Sequence, residues 1–174
     1  MEKFVIKCFE QFGPTWLHEN VKGQLLSPAL DWHYPGYGGY STDLKNACFA
    51  RQPYNIATSY ENWSGVESLT YMLDWWINSN KDWFQFLGLN RCLINFYTPG
   101  QNTNWHVDHD SYDFFSLLYY VNDADGGTEF KDKKIPHKEN SGVFFSSPIL
   151  HTPITSTVPR RINVNWIMRG KILD

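Results

Sequence analysis

The fold and the chemistry of this chain are decided by residues 95–108, which read NFYTPGQNTNWHVD. If residues 104–108 are extended, the side chains of His106 and Asp108 project from the same face, since residues i and i+2 of a strand do so. Val107 then turns to the other face. A His-x-Asp triplet is common in proteins, so its meaning depends on the residues that accompany it.

A third potential metal ligand, His151, follows far downstream. With His106 and Asp108 it gives two imidazoles and one carboxylate, which together can occupy one face of a metal ion. This ligand set leaves coordination positions open and suits non-haem Fe(II), whereas structural zinc favours a closed site of four protein ligands. We therefore predict that His106, Asp108 and His151 bind one Fe(II) ion.

Further motifs accompany these ligands in the order found in a known superfamily. Residues 95–108 resemble the N-x-Y-x-P-G-x5-H-x-D stretch of 2-oxoglutarate/Fe(II)-dependent dioxygenases. The stretches LLYYVN at 117–122 and GGTEF at 126–130 are similar to the prolyl-hydroxylase branch. FSSPILH at 145–151 resembles the approach to the second histidine, and PRRIN at 159–163 lies where the superfamily has G-x-R-x-S.

The resemblance covers residues 91–168, about half of the chain. It departs from the superfamily pattern at Pro159, where glycine is usual, and at Asn163, where serine is usual. Neither departure removes a metal ligand, but the second lies at the cosubstrate end of the expected pocket. The resemblance implies a mainly β fold, a double-stranded β-helix (jelly roll) with supporting N-terminal helices.

We expect a single domain over residues 1–174, because this length allows one substantial core. Residues 1–90 are expected to form a helical and loop support and rim, and residues 91–168 the double-stranded β-helix core. Short runs typical of strands, separated by polar or glycine-containing turns, favour a sandwich or jelly roll. The predicted strands are 3–10, 91–97, 104–108, 114–122, 127–131, 141–146, 149–154 and 160–168.

The remaining patterns predict helices and loops. A helix is expected over 14–25, since proline is accepted in a first turn. Ser64 and Glu67 fit a capping box, and apolar residues at helical spacing then predict a helix over 65–79. The aromatic and glycine-rich segment 34–40 is expected to be a mobile loop at the substrate entrance. A charged, solvated turn is expected at 132–140.

The last predicted strand alternates polar and apolar residues from Arg161 onward. In an ordinary sheet the polar face would meet solvent, but the resemblance implies that it looks into the barrel. Arg161 would then be a buried cation, which is costly without a carboxylate partner. The resemblance supplies that partner as the 5-carboxylate of 2-oxoglutarate, which a guanidinium can bind through two parallel hydrogen bonds. Arg160 would point to solvent.

The resemblance implies five further residues near the cosubstrate. It places the phenol of Tyr120 against the same distal carboxylate, with Leu118 on the same strand face. Tyr97 and Asn95 occupy positions that contact the cosubstrate in related enzymes, and Asn163 follows Arg161 on its strand. For both tyrosines the alternative is a core aromatic residue whose hydroxyl is satisfied within the protein.

The other histidines are not expected to bind metal. His18, His33 and His137 lack partners at metal-ligand spacing and are expected at the surface. His109 has the wrong parity to share a face with His106 and is expected in a turn. Asp110 is a candidate for orienting a ligand imidazole, as carboxylates do in many metal sites.

The resemblance implies Fe(II), 2-oxoglutarate and O2, with ascorbate as a reductant. The expected reaction converts 2-oxoglutarate to succinate and CO2 while hydroxylating a C–H bond of a peptide (peptidyl proline or another residue) or a small metabolite. Halogenation is disfavoured, because a halide needs the coordination position that Asp108 holds. Two alternatives stay open: an AlkB-like oxidative dealkylase of nucleic acid and a non-catalytic, cupin-like metal-binding protein.

Specific residues weigh on both alternatives. RIN at 161–163 matches the start of the AlkB-like R-x-N-x-T-x-R motif, but position 167 is isoleucine, so the second arginine is absent. A cupin-like module needs only the three metal ligands and gives no reason for Arg161 on a polar barrel face.

Composition agrees with an intracellular enzyme. The net charge of −3 and a pI near 6.0 make nucleic acid an unlikely partner. No run of eighteen apolar residues suggests a membrane span, and the first residues do not resemble a signal peptide, so a cytoplasmic location is expected. Cys8, Cys48 and Cys92 are odd in number and widely spaced, which predicts thiols and not disulfides. The 17% aromatic content can fill a sheet-based core.

Overall fold

The computed structural model describes residues 5–32, 49–101 and 104–173, and within these ranges the chain is mainly β. The elements in chain order are β1 (Ile6–Phe9), α1 (Thr15–Leu25), β2 (Phe49–Asn55), β3 (Tyr60–Glu61), α2 (Ser68–Asn80), β4 (Phe84–Tyr97), β5 (Phe114–Tyr120), β6 (Gly127–Phe130), β7 (Lys133–Pro136), β8 (Ser141–Ser146), β9 (His151–Ile154) and β10 (Arg161–Ile172), with a short 3-10 turn at Ile56–Thr58. The segment 34–40, expected at the substrate entrance, lies outside the described residues.

Two antiparallel sheets form the architecture. The large sheet has the strand order β1-β8-β5-β10-β4-β2-β3, and the small sheet has the order β7-β6-β9. Apolar side chains of β5 and β8 meet those of β6 and β7 in one cluster between the sheets, formed by Leu118, Tyr120, Phe130, Ile135, Val143 and Phe145. Two facing antiparallel sheets confirm the predicted jelly roll.

The opposite face of the large sheet is covered by both helices. Val21 of α1 and Leu69 and Trp76 of α2 are fully buried in the main hydrophobic core, which also contains Trp166 of β10. Trp76 stacks on Phe144 of β8, with ring centroids 5.4 Å apart. The central strands are therefore buried on both faces, so polar residues on their inner face point into the space between the two sheets.

Most predicted strands are confirmed, but two of them extend beyond their predicted ends. Those at 114–122, 127–131, 141–146 and 149–154 correspond to β5, β6, β8 and β9. β4 begins at Phe84 and β10 continues to Ile172, because these two strands pair with each other along almost their whole length. Strands β1 to β3 also come from the first half of the chain and complete both edges of the large sheet.

Three local predictions are wrong. Residues 104–108 are not a strand, since only His106 forms a β-bridge, to His151. The capping box is not formed: α2 begins at Ser68, and the Glu67 carboxylate instead accepts the backbone N–H of Gly65 at 2.9 Å. The charged segment 132–140 is not simply a turn, because it contains strand β7.

The structure also bears on the predictions about cysteines and membrane spans. Cys8 and Cys92 are free thiols, as predicted, and Cys48 lies outside the described residues. Across the described ranges, every helix is too short or too polar to cross a membrane.

Candidate metal centre and adjoining cavity

His106, Asp108 and His151 come together at one end of the space between the sheets. Their potential ligand atoms all lie within 4.8 Å of one another. Nε2 of His106 is 3.8 Å from Oδ1 of Asp108, and Nε2 of His151 is 3.7 Å from Oδ2 of the same carboxylate. Reciprocal backbone hydrogen bonds of 2.9 and 3.0 Å join His106 to His151 and bring the two imidazoles side by side. The structure thus assembles the three residues that the spacing predicts.

Backbone carbonyls orient both imidazoles. Nδ1 of His106 lies 2.9 Å from the carbonyl oxygen of Asn104, and Nδ1 of His151 lies 2.9 Å from that of Ile149. A carbonyl can only accept, so each Nδ1 carries a hydrogen, and in the neutral ring Nε2 then keeps its lone pair. A fixed tautomer of this kind is the usual support for a metal-binding histidine.

The carboxylate of Asp108 is oriented by hydrogen bonds from side chains of the central strands. Its Oδ2 accepts hydrogen bonds from Ser116 Oγ at 2.6 Å and from Asn165 Nδ2 at 3.0 Å, and Ser116 is itself paired with Ser147 at 2.8 Å. Burial alone would raise the pKa of Asp108, but the adjacent His151 and the bond from Ser116 bring it below its ordinary value. Asp108 is therefore an oriented anion.

The two histidines differ in their exposure. The side chain of His106 is 40% exposed, whereas those of His151 and Asp108 are each 4% exposed. Burial is the main cause that lowers the pKa of His151, so this imidazole stays neutral and able to bind a metal. The site is thus closed towards the sheets and open on the side of His106.

A narrow cavity connects this centre to Arg161. It is lined by Asn95, Tyr97, His106, Leu118, Thr128, His151, Pro153, Arg161, Asn163 and Asn165. Five of the six predicted cosubstrate residues are among them: Arg161, Tyr97, Asn95, Leu118 and Asn163. Asn95 and Asn163 face each other across β4 and β10, and their side chains are joined by a hydrogen bond of 3.0 Å.

Arg161 lies at the far end and is fully buried. Its Nη1 donates to the carbonyl of Ile154 at 2.6 Å and its Nη2 to the carbonyl of Gly127 at 2.8 Å, while the guanidinium carbon sits 4.5 Å from the centre of the Tyr97 ring. Within the described residues no carboxylate contacts it. Arg160 is exposed, which confirms the predicted register of this strand.

Tyr120 is buried behind the cavity wall and is not among the described residues that line it. Its hydroxyl donates to Thr128 Oγ1 at 2.8 Å, and burial raises the pKa of Tyr120 to about 12. The structure therefore brings Thr128, and not the phenol of Tyr120, to the surface of the cavity.

Two histidines expected at the surface are buried, so that prediction is wrong. His18 lies on the inner side of α1, where its ring bonds to the hydroxyl of Tyr119 and, at 3.0 Å, to Glu139. His137 directly follows β7, whose end turns inward, and its Nδ1 is 3.3 Å from Nε of Arg161. His33 lies outside the described residues.

In the segment that follows Asp108, the structure differs from the prediction at Asp110. His109 lies outside the helices and strands, where its ring stacks on Phe114 at 3.7 Å and accepts the backbone N–H of Ser111 at 3.0 Å. Asp110 is exposed, and in the described part of the chain it does not bond to a ligand imidazole. Its predicted orienting role is wrong, because backbone carbonyls perform it.

Sequence reasoning did not identify how several residues support the site. Strand alternation places Asn165 on the face of Arg161 and Asn163, and Ser116 on the face of Leu118, but it does not reveal that both side chains bond to Asp108. Thr128 and His137 carried no such signal, because their positions depend on how the small sheet packs on the large one.

The architecture is shared with solved oxygenase structures. The chain aligns with a prolyl hydroxylase from Trichoplax adhaerens, solved with a hypoxia inducible factor oxygen degradation domain peptide, at a TM-score of 0.71 and 15% identity, covering 94% of this chain and 83% of that one. A Pseudomonas putida prolyl-4-hydroxylase gives 0.64 and 14%, covering 96% and 94%. HygX of Streptomyces hygroscopicus, solved with nickel, 2-oxoglutarate and hygromycin B, gives 0.64 and 11%, covering 94% and 82%.

No family model and no curated protein matches the sequence. At these identities the structural likeness speaks to the fold. The chain has the jelly-roll fold of the prolyl hydroxylases and other 2OG-Fe(II) oxygenases.

Proposed function

We propose that this chain is a 2-oxoglutarate- and Fe(II)-dependent dioxygenase that hydroxylates a C–H bond and forms succinate and CO2. One observation carries the proposal: a two-histidine, one-carboxylate centre and a buried arginine lie at opposite ends of one cavity. The first can hold Fe(II), and the second can bind the distal carboxylate of the cosubstrate.

The donor set at the centre fits Fe(II). His106 and His151 each direct Nε2 towards the carboxylate of Asp108, and this mixed nitrogen and oxygen set on one face suits a non-haem ferrous ion. When bound, iron supplies the redox chemistry that couples decarboxylation of 2-oxoglutarate to oxidation of the substrate. The protein holds the ion, leaves the side of His106 accessible and keeps Asp108 ionised.

Arg161 is suited to bind the distal carboxylate. A guanidinium has five N–H donors, and the described contacts use one on each nitrogen. One N–H remains on each of Nη1 and Nη2, which is the number that a bidentate pair with a carboxylate requires. Since its protein partners are neutral, its positive charge is not cancelled before the ligand binds.

Thr128 is the second proposed contact to the same carboxylate. Its Oγ1 accepts the hydrogen of the Tyr120 hydroxyl, so its own hydroxyl hydrogen is free to point into the cavity that it lines. Tyr120 thereby acts on the cosubstrate through Thr128. Tyr97, Asn95, Leu118 and Asn163 would complete the walls.

The primary substrate is proposed to bind in a groove beside the metal centre. This groove of about 1030 Å³ is bordered by Trp105 and Leu150, which directly precede His106 and His151. Both apolar side chains are exposed, by 45% and 51%. The peptide bound to the Trichoplax adhaerens enzyme and the hygromycin B bound to HygX support either a peptide or a small molecule as the occupant.

The buried arginine also weighs against the alternatives. A non-catalytic, cupin-like protein has no need for an unneutralised cation at the buried end of this cavity, because burying it costs free energy. An AlkB-like dealkylase would place its second arginine at position 167, where this chain has a buried isoleucine.

The proposal is tested with anaerobic, Fe(II)-loaded protein. Addition of 2-oxoglutarate should produce a metal-to-ligand charge-transfer absorption, and admission of oxygen should release succinate. Succinate release across a panel of peptides, amino acids and small metabolites, with alkylated oligonucleotides included, would then identify the substrate class. A protein that binds Fe(II) but shows no spectral response to 2-oxoglutarate would overturn the proposal.

A further inference from the structure

His137 is buried at the closed end of the cavity, where no metal ligand lies. It directly follows Pro136, the last residue of β7, and its backbone N–H donates to the carbonyl of Gly126 at 3.1 Å. Only 3% of the residue is exposed, and its ring packs against that of Tyr120 with centroids 4.5 Å apart. Both its backbone and its ring are therefore fixed.

The contact with Arg161 defines the protonation of this histidine. Nε of Arg161 can only donate, so Nδ1 of His137, at 3.3 Å, must accept. The imidazole is then neutral with its hydrogen on Nε2. Burial, helped by the positive charge of Arg161, lowers the pKa of His137 to about 3, although the nearby backbone of Asn122 opposes the shift. Among the described residues the buried Nε2 has no hydrogen-bond partner.

Three neutral acceptors surround the guanidinium of Arg161, one for each nitrogen. Two are backbone carbonyls, of Gly127 and Ile154, which are paired residues of β6 and β9 and are fixed by the small sheet. Among the described residues His137 is the one side chain that accepts from Arg161. A carboxylate at this position would neutralise the cation, whereas a neutral imidazole orients it and leaves its charge intact.

We propose that His137 is a positioning residue for the cosubstrate, whose Nδ1 sets the plane of the Arg161 guanidinium so that its free N–H groups meet the distal carboxylate. This inference rests on the proposed function, because it concerns the same cavity. His137 does not touch the reacting atoms, so its effect should appear in the affinity for 2-oxoglutarate and not in the binding of Fe(II).

Two substitutions separate the acceptor from the ring. His137→Phe keeps an aromatic ring against Tyr120 and removes the acceptor, whereas His137→Asn keeps an acceptor oxygen near the position of Nδ1 and removes the ring. Calorimetry on the anaerobic Fe(II) protein should show the Kd for 2-oxoglutarate rising about tenfold in His137→Phe, the loss expected for one hydrogen bond to a charged group. His137→Asn should stay within about threefold of wild type.

Pyruvate provides a matched control, because it has the 2-oxo acid group but no distal carboxylate. Its inhibition constant, and the Kd for Fe(II), should be the same in wild type and in both variants. If His137→Asn binds 2-oxoglutarate more weakly than His137→Phe, the ring matters and not the acceptor, and the inference is overturned. It is also overturned if all three proteins bind 2-oxoglutarate equally.

The tautomer can be checked without any ligand or substitution. Nitrogen-15 NMR of the wild-type protein near neutral pH should show His137 with an unprotonated Nδ1 and a protonated Nε2. A protonated Nδ1 would rule out the contact even if a variant failed to fold. Conversely, if the wild-type Fe(II) protein bound no 2-oxoglutarate but still showed this tautomer, the proposed function would be refuted and the contact of His137 would not. The two failures are therefore distinguishable.

Discussion

The two ends of the cavity are built in different ways. At the metal end each imidazole is oriented by a carbonyl two residues earlier in the chain, Asn104 for His106 and Ile149 for His151. At the closed end Arg161 is held by Gly127, 34 residues away, by His137, 24 residues away, and by Ile154, 7 residues away. The orientation of the two imidazoles is therefore local in sequence, whereas the anion site depends mainly on the packing of two sheets.

Because of this difference, we expect a substitution at one end to change the binding of its own ligand and not the binding of the other. A change at either histidine removes a group that a neighbouring carbonyl orients, and it leaves the contacts of Arg161 in place. A change at the closed end alters the anion site and leaves the metal ligands with their own carbonyls. Iron affinity and 2-oxoglutarate affinity therefore report on separate parts of the molecule, and substitutions can test that separation.

The largest effect is expected from the ligands themselves. Replacing His106, Asp108 or His151 by Ala removes one of three donor groups, so Fe(II) binding should weaken sharply and turnover should be abolished. Iron content after gel filtration and succinate release measure the two quantities. Full iron retention by Asp108→Ala together with wild-type turnover would show that the metal is held elsewhere.

A smaller effect is expected at Arg161. A charge-assisted hydrogen bond to a buried partner contributes on the order of 1.5–3 kcal/mol, so Arg161→Ala should raise the 2-oxoglutarate requirement by roughly ten- to a hundredfold. The 2-oxoglutarate requirement of Arg161→Lys should fall between those of wild type and Arg161→Ala, because a point charge satisfies only part of the bidentate geometry. The Kd for Fe(II), measured on the same samples, should be nearly unchanged.

Arg160 provides the internal control for this experiment. It is the neighbouring arginine on the same strand but is exposed, so Arg160→Ala should leave both affinities close to wild type. If Arg160→Ala impaired 2-oxoglutarate binding and Arg161→Ala did not, the assignment of the anion site would be wrong. Loss of iron from Arg161→Ala would break the separation between the two ends.

Ser116 tests how far the metal end depends on the core. Its hydroxyl donates to Asp108 at 2.6 Å, and supporting contacts of this kind typically change metal affinity by about tenfold or more. Ser116→Ala should thus weaken Fe(II) binding by about tenfold without abolishing turnover at saturating iron. Ser111→Ala, an exposed serine that does not contact the ligands, is the matched control. Equal iron affinities would mean that Asn165 alone orients Asp108.

A separate effect is expected on the acid sensitivity of the fold. Burial lowers the pKa of His137 from its ordinary value of 6.5, which applies to the unfolded chain, to about 3 in the folded protein, so between these values only the unfolded chain binds the proton. The free energy of unfolding should therefore fall as the pH drops from 6.5 towards 3, by about 1.4 kcal/mol per pH unit from this one residue. His137→Asn should show a shallower slope in urea titrations of the metal-free protein at pH 6.5 to 4.5. An unchanged slope would contradict the burial of a neutral His137.

The same contrast between local and long-range contacts explains what the sequence could predict. The jelly roll, the grouping of His106, Asp108 and His151 and the burial of Arg161 were predicted from short motifs, from strand alternation and from the resemblance to a known superfamily. Segment 104–108 was mistaken for a strand because its i, i+2 spacing gives the same side-chain directions as the single bridge at His106.

The roles of Thr128 and His137 could not be predicted, because each depends on a partner on another strand. Thr128 accepts from Tyr120 only because β6 packs over β5, and His137 reaches Arg161 only because the end of β7 turns inward. The charged residues around His137 in the sequence indicated a surface turn. Local composition could not reveal that one imidazole in that turn is buried.

Gly127 sets a limit on how this protein could be engineered. It adopts a φ of +151°, which side-chain-bearing residues rarely adopt, and a Cβ at this position would collide with the carbonyl oxygen of Ile135 on β7. Any other residue would force β6 and β7 apart and displace the carbonyl that holds Arg161. Directed-evolution libraries should therefore leave position 127 unchanged and diversify the rim at Trp105 and Leu150, where new side chains would extend into solvent.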